Sequence, residues 1–290
     1  MNVQRSFENT KRGNLYVVAT PIGNLDDITI RALKTLEQVD VIAAEDTRNS
    51  KKLLNHFDIH KPLVSYHEHN KLSREDHLVD TLQEGKDIAL ISDAGMPAIS
   101  DPGYEMVKAA IKRDIPVIVI PGANAALTAL VASGLPTEEF YYYGFLPRKK
   151  KEKEEELLRL SSIAATVIFY ESPYRIEETI EAIVEVLGER QICLARELTK
   201  KFEEYARGTG QEILDWLKEQ TVRGEFCIVV EGNQSESKEE DQWWAALTVE
   251  QHVTHYITEL GLRSKDAIKK VATERNLPKR EVYQAFHVEE

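Results

Sequence analysis

From Asn14 onward the chain alternates short apolar, β-branched runs with longer amphipathic stretches. LYVVAT is followed by ITIRALKTLEQV, VIAAE by TRNSKKLLNHF, PLVSYH by REDHLVDTLQEG, IALISD by YEMVKAAIKR, and PVIVIPG by ANAALTALVASG. The first member of each pair has the pattern of a strand and the second that of a helix. Strands alternating with helices specify βαβ units, and hence a mostly parallel sheet with helices on its faces. The longest uncharged run, Ile115 to Pro136, has the length of a bilayer span. Pro121-Gly122 divides it into a β-branched half and an Ala/Leu half, which predicts a buried strand, a turn and a buried helix. No membrane partner is expected.

A second α/β block starts near Phe140. FYYYGFL, TVIFYES, QICLARELT, the short EEYARGT and EFCIVVEG have strand patterns, with helices predicted at EKEEELLRL, YRIEETIEAIVEVLG and QEILDWLKEQ. The short connections after Glu197 predict that this sheet is partly antiparallel. QSESKEED, 234 to 241, is polar and acidic and reads as a linker. Beyond it, TVEQHVTHYITELG, SKDAIKKVATERN and PKREVYQAF predict three short helices. Ile268, Val271 and Ala272 share one face, as do Val282 and Phe286, and Pro278 suits a first helical turn. The predicted organisation is an α/β lobe over 14–122, a second over 123–233, the linker, and a small helical domain over 242–290, in which helix-turn-helix character is open.

Composition narrows the functional classes. The 290 residues are 42% hydrophobic and 30% charged, which excludes wholesale disorder. The formal net charge of −12 argues against indiscriminate nucleic-acid binding through bulk electrostatics, while leaving room for local basic patches. The start, MNVQRSFENTKRGN, has no apolar stretch of the secretory kind. Cys193 and Cys227 each sit in an apolar strand-like run, as reduced core thiols of a cytoplasmic protein would. CxxC and HExxH patterns are absent, so no metal site is expected.

The chemistry is concentrated where strands end. TPIGNLDD, EDTR, HEHN, SDAGMPAISDPG and PGANAA each follow a predicted strand of the first block. In an open α/β sheet ligands bind outside the carboxyl ends of the strands, so these loops converge on one crevice. GxGxxG and GxxxxGK[ST] are both absent, which argues against a dinucleotide fold and a P-loop. The residues alone specify an enzyme or binder of a small polar molecule.

Eight motifs occur in order: TPIGNLDD, AEDTR, ISDAGMPAISDPG, PGANAALTAL, YYYGFLPRKK, YESPYR, ARELTK and GEFCIVVEG. Together they resemble the bacterial ribosomal RNA small-subunit methyltransferase I family of the tetrapyrrole methylase superfamily. The resemblance covers roughly residues 14 to 232, and the helical tail resembles the family's C-terminal extension. It implies S-adenosylmethionine-dependent methylation of the ribose 2′-oxygen of a cytidine in the decoding region of 16S rRNA, within the small ribosomal subunit. It also implies two α/β lobes with the cofactor between them, and a homodimer. Carried over by position, the cofactor contacts are Pro21, Ser92, Asp93, Ala94, Ile99, Asn124 and Ala125, with Tyr170 and Leu198 from the second lobe. Ala94, Gly95 and Gly122 would permit close backbone approach. Pro97 and Pro102 would stiffen the loop, and Asp93 would balance the sulfonium or ammonium charge. Asp101, in Asp-Pro-Gly, fits a turn and helix cap equally well.

A ribose hydroxyl is a poor nucleophile, and a nearby group should accept or relay its proton. The candidates at strand ends are Glu45, Asp46, His67, Glu68 and His69, with Glu45 first; Asp46 better suits a helix cap. For RNA phosphates the candidates are Arg148, Lys149 and Lys150 of RKKKEK, together with Arg48 and Arg175 near the cleft. The tail between 263 and 281 holds seven Lys/Arg against three Asp/Glu, which adds Lys265, Lys269, Lys270, Lys279 and Arg280. Two readings compete with the rRNA enzyme: a methyltransferase acting on a tetrapyrrole or other small molecule, and a non-enzymatic nucleic-acid module. The basic tail and TPIGN, in place of a glycine-rich first loop, favour RNA over a tetrapyrrole. The strand-end loops argue against a module that only binds.

Overall fold

The computed structural model describes residues 3–6, 12–68, 70–220, 223–234, 244, 247–275 and 277–287. His69 and all but the first residue of the predicted linker lie outside these. The chain divides into two compact units, 1–233 and 234–290.

The first unit opens with β1 (Leu15–Val18), α1 (Ile30–Gln38), β2 (Val41–Ala44), α2 (Thr47–His56), β3 (Leu63–Ser65), α3 (Lys71–Gln83), β4 (Ile88–Ile91), α4 (Tyr104–Lys112) and β5 (Val117–Ile120). The strands form one sheet in the order β3-β2-β4-β1-β5, with every pairing parallel. The continuous apolar run IALI follows from this: β4 lies inside the sheet and is buried along its whole length. Its side chains alternate between faces. Ile88 and Leu90 pack with Leu78 and Leu82 of α3 and Met106 of α4, while Ala89 and Ile91 pack with Leu36 of α1 and Leu54 of α2. The helices thus divide between the two faces, as right-handed crossovers in opposite directions require. β1 and β4 lie side by side, yet the chain leaves them in opposite directions, toward β2 and β5. That is a topological switch point, where a crevice opens outside the sheet.

The uncharged run from Ile115 resolves as predicted into β5 and α5 (Ala125–Ser133), ended by Gly134 in the left-handed conformation at φ 80°. Among the described residues no helix is long and apolar enough to cross a membrane. Although α5 follows the first sheet, its Ala126, Ala129 and Leu130 pack on the second. That sheet comprises β6 (Phe140–Phe145), β7 (Thr166–Glu171), β8 (Gln191–Arg196), β9 (Glu204–Thr209) and β10 (Phe226–Val230). Its order is β6-β7-β10-β8-β9, with only β6 and β7 parallel. α6 (Lys150–Leu160), α7 (Ile176–Leu187) and α8 (Gly210–Lys218) cover the face opposite α5. Cys193 and Cys227 are buried, free thiols on neighbouring strands of this sheet.

The second unit holds α9 (Val249–Thr258), α10 (Ser264–Glu274) and α11 (Lys279–His287), placed close to where the apolar periodicity puts them. Val253, Tyr256, Ile268, Val271, Ala272 and Val282 form its core. A capping box between Thr248 and Gln251 starts α9.

Candidate active site

The loop after β4, residues 92 to 103, is folded back on the end of β1. Thr20 and Gly95 exchange both backbone hydrogen bonds, at 2.9 and 3.0 Å, and the Thr20 hydroxyl donates to the Ser92 carbonyl. Gly95 has φ 77°, and the non-glycine residues Ala98 and Ser100 are held at φ 67° and 61°. Each such conformation costs on the order of 1 kcal/mol or more and persists only where the surroundings over-determine it. Here the far side is also fixed. The Ser100 hydroxyl and the Tyr142 phenol of β6 lie 2.6 Å apart, tying the loop to the second sheet.

Between this loop and the second sheet lies a cavity of about 570 Å3, within the usual range for small-molecule sites. Glu45, Asp93, Asp101, Glu197 and Glu225 line it. Among the described residues they face a single cation, Lys200, which is paired with Glu197 at 3.2 Å. Burial, and then the neighbouring Glu45 charge, push the Asp101 carboxyl up to about 7 despite a hydrogen bond with Ser92. Burial also raises Glu45, opposed by the Asp93 backbone N–H 3.5 Å away. Carboxylates crowded in this way favour a cationic guest, which lets them ionise together. Asp93 itself is oriented from α2: its two oxygens accept from the Asp46 backbone N–H at 3.2 Å and the Asn49 amide at 3.0 Å.

The opposite end of the cavity has another character. Asn124 caps α5 by accepting from the Leu127 N–H, and the Tyr170 phenol accepts from the Ala126 N–H at 3.0 Å. The start of a helix favours negative charge. Burial raises the Tyr170 pKa, so the phenol stays neutral. Ile22, Ile99, Phe145, Leu198 and Phe226 supply apolar wall.

Of the residues singled out in the sequence, Glu45, Asp93, Ala94, Gly95, Ile99, Asn124, Ala125, Tyr170 and Leu198 line this cavity. Pro21 lines an adjoining one of about 420 Å3. Ser92 is buried beneath the loop. Gly122 serves packing: a Cβ there would sit 2.8 Å from that of Ala19. Asp46 does not line the cavity. It caps α2 by accepting from the Arg48 N–H and pairs with the Arg48 guanidinium at 2.7 Å, which lowers its carboxyl pKa to about 2. So acidic a group is a weak proton acceptor. Glu68 is exposed and His67 half-buried, and neither lines the cavity.

Arg175 is turned inward. It donates to the Leu146 and Pro147 carbonyls and pairs with the buried Glu171 at 3.3 Å, pinning the segment that leads to Arg148. Arg148 is exposed, whereas Lys149 and Lys150 pair with Glu152 and Glu154. Lys265, Lys269, Lys270, Lys279 and Arg280 are all exposed on the second unit, with Lys270 over the Tyr256 ring.

Sequence reasoning missed Ser100, Glu197, Lys200 and Glu225 and left Asp101 undecided. Glu197 follows β8 and Glu225 precedes β10. They meet because Arg196 and Phe226 are paired across those strands, a register with no local signal in the sequence.

The family described as Tetrapyrrole (Corrin/Porphyrin) Methylases matches residues 14–214. Ribosomal RNA small subunit methyltransferase I of Halalkalibacterium halodurans is 57% identical over 290 residues, spanning 100% of both chains. The protein of the same name from Bacillus subtilis (strain 168) is 55% identical over 289 residues, 99% of each. Among solved structures, uroporphyrin-III C-methyltransferase from Thermus thermophilus complexed with S-adenosylhomocysteine has a TM-score of 0.53 at 17% identity, over 76% of this chain and 97% of that one. At that identity the likeness concerns the fold.

Proposed function

This chain belongs to the tetrapyrrole methylase family, among its ribosomal RNA small subunit methyltransferase I members, and from that premise we propose that it methylates the ribose 2′-oxygen of a cytidine in the decoding region of 16S rRNA. The observation that carries the reading is the full-length match. Identity to the relatives named for rRNA runs through the helical tail, whereas the likeness to the small-molecule enzyme covers 76% of the chain. This favours rRNA over a tetrapyrrole substrate.

S-Adenosylmethionine, bound in the larger cavity, supplies a methyl group activated by a cationic sulfur. The residues present fit it: small residues at Ala94 and Gly95, an acidic wall for the positive charges, and the start of α5 for a carboxylate. Asp93 and Asp101 balance positive charge, and Tyr170 and Asn124 hold the start of α5 in place. Glu45 orients the acceptor hydroxyl and takes its proton, a role that suits a carboxylate whose affinity for protons burial has raised. Orientation within the site supplies much of the acceleration. The working form is a homodimer in the cytoplasm. Val119 on the edge strand β5 and Leu127 and Val131 on α5 are exposed apolar side chains that a second copy would cover.

The test is incubation of the protein with methyl-labelled S-adenosylmethionine and either small subunits lacking the modification or tetrapyrrole precursors, followed by mapping of the label. Label on a cytidine ribose of 16S rRNA is the expected result. Label on the tetrapyrrole alone would replace this reading.

A further inference from the structure

Resting on that reading, we propose that the adjoining cavity of about 420 Å3 is the subsite for the acceptor nucleotide, and that Lys52 and His56 of α2 bind its phosphates. Three observations lead there. The first is contiguity. An in-line transfer needs the attacking oxygen about 3–3.5 Å from the methyl carbon, so the acceptor must sit in a space that opens onto the larger cavity. The two cavities share Ile22, Asp93 and Ala94 as common wall.

The second is charge. The larger cavity is lined by carboxylates and repels a polyanion. The smaller has Asp93 as its one carboxylate among the described residues, already accepting from the Asp46 N–H and Asn49, and is also lined by Lys52 and His56. Both are exposed. The third is the helical period. Asn49, Lys52, Leu53 and His56 fall at i, i+3, i+4 and i+7 on α2, one continuous stripe facing the cavity. Leu53 and Leu25 give it apolar surface against which a base can pack. The arrangement also explains why Asn49 is fixed to Asp93: the same helix face that receives the nucleotide holds the carboxylate at the boundary of the two cavities.

The experiment measures steady-state methylation of unmodified small ribosomal subunits and, separately, calorimetric binding of S-adenosylhomocysteine, for wild type, Lys52→Glu and Leu25→Trp. Lys52→Glu is expected to raise KM for the subunits roughly tenfold and to lower the salt dependence of their binding by about one phosphate's worth of slope. Leu25→Trp, at a partly exposed position of the rim, fills the cavity and should lower kcat/KM by a similar factor. S-Adenosylhomocysteine affinity should stay within about twofold of wild type in both. Wild-type KM and salt slope in both variants would overturn the proposal while leaving the reading intact. Loss of cofactor affinity would also overturn it, by making the space part of the cofactor site. A wild-type protein that does not methylate small subunits would remove the reading and the proposal together.

Discussion

Asp101 is held half-buried among other carboxylates, with its pKa displaced from 3.8 to about 7. Below about pH 4 it is protonated in folded and unfolded chains alike. Between about pH 4 and 7 the unfolded chain ionises first, so stability falls as pH rises, and above about 7 the full cost is present. Asp101→Asn should therefore raise the melting temperature of the ligand-free protein at about pH 8, by about 2–4 °C for each 1 kcal/mol relieved. The gain should shrink as pH is lowered to about 5. Affinity for S-adenosylmethionine should rise with pH across about 6 to 8 in wild type, with proton release, and lose most of that dependence in the variant. Calorimetry in two buffers of different ionisation enthalpy measures both. Asp101 also shows where residue-level reading stops. Asp-Pro-Gly is turn chemistry by any local rule, and its displaced pKa arises from burial, from Glu45 and Glu225, which other loops bring to it, and from Asp93 of its own loop. Glu45 and Asp93 were legible because they end buried strands. Glu225 was not, because its place depends on a strand pairing.

At the scale of elements, α5 connects the two halves of the site. It leaves the first sheet, packs on the second, and is started by its own Asn124 and by a phenol from β7. Removing the phenol oxygen leaves the Ala126 N–H without that partner. Tyr170→Phe should cost about 1–3 kcal/mol of stability and weaken cofactor binding. Asn124→Ala should cost about 1 kcal/mol. Denaturant titration and calorimetry separate the two effects, and Tyr170→Phe at wild-type stability would show that the phenol is dispensable to the helix. Strand and helix order was legible throughout, helped where burial on both faces leaves an unbroken apolar run such as IALI. The boundary read between 122 and 123 assigns α5 to the second lobe, but the helix pattern itself does not name the sheet it packs on. AALTALVAS is apolar on nearly every side, so its periodicity does not say which partner it buries against.

Across the whole molecule, an acidic chain ends in a unit whose exposed lysines belong to a separate compact body from residues 1–233. Removing residues 234 to 290 should leave cofactor affinity near wild type and raise KM for small subunits. Neutralising Lys265, Lys269, Lys270, Lys279 and Arg280 together should reproduce part of that rise and flatten the salt dependence, by about 0.7–0.9 in log–log slope for each phosphate no longer neutralised. Binding to small subunits across a salt series checks this, and an unchanged slope would assign these residues to solvent.

The order β6-β7-β10-β8-β9 has a consequence for how the chain is made. β10 is the last strand of its sheet to be synthesised, yet it lies between β7 and β8 and is buried along its whole length. During translation those two strands wait with open edges, a state prone to association with other chains. The sheet closes only when Phe226–Val230 has left the ribosome. The helical unit, synthesised after it, keeps β10 tethered beyond the exit long enough to insert. Nascent chains halted at increasing lengths should therefore gain protease resistance in residues 140 to 220 only after β10 and part of the tail have been added.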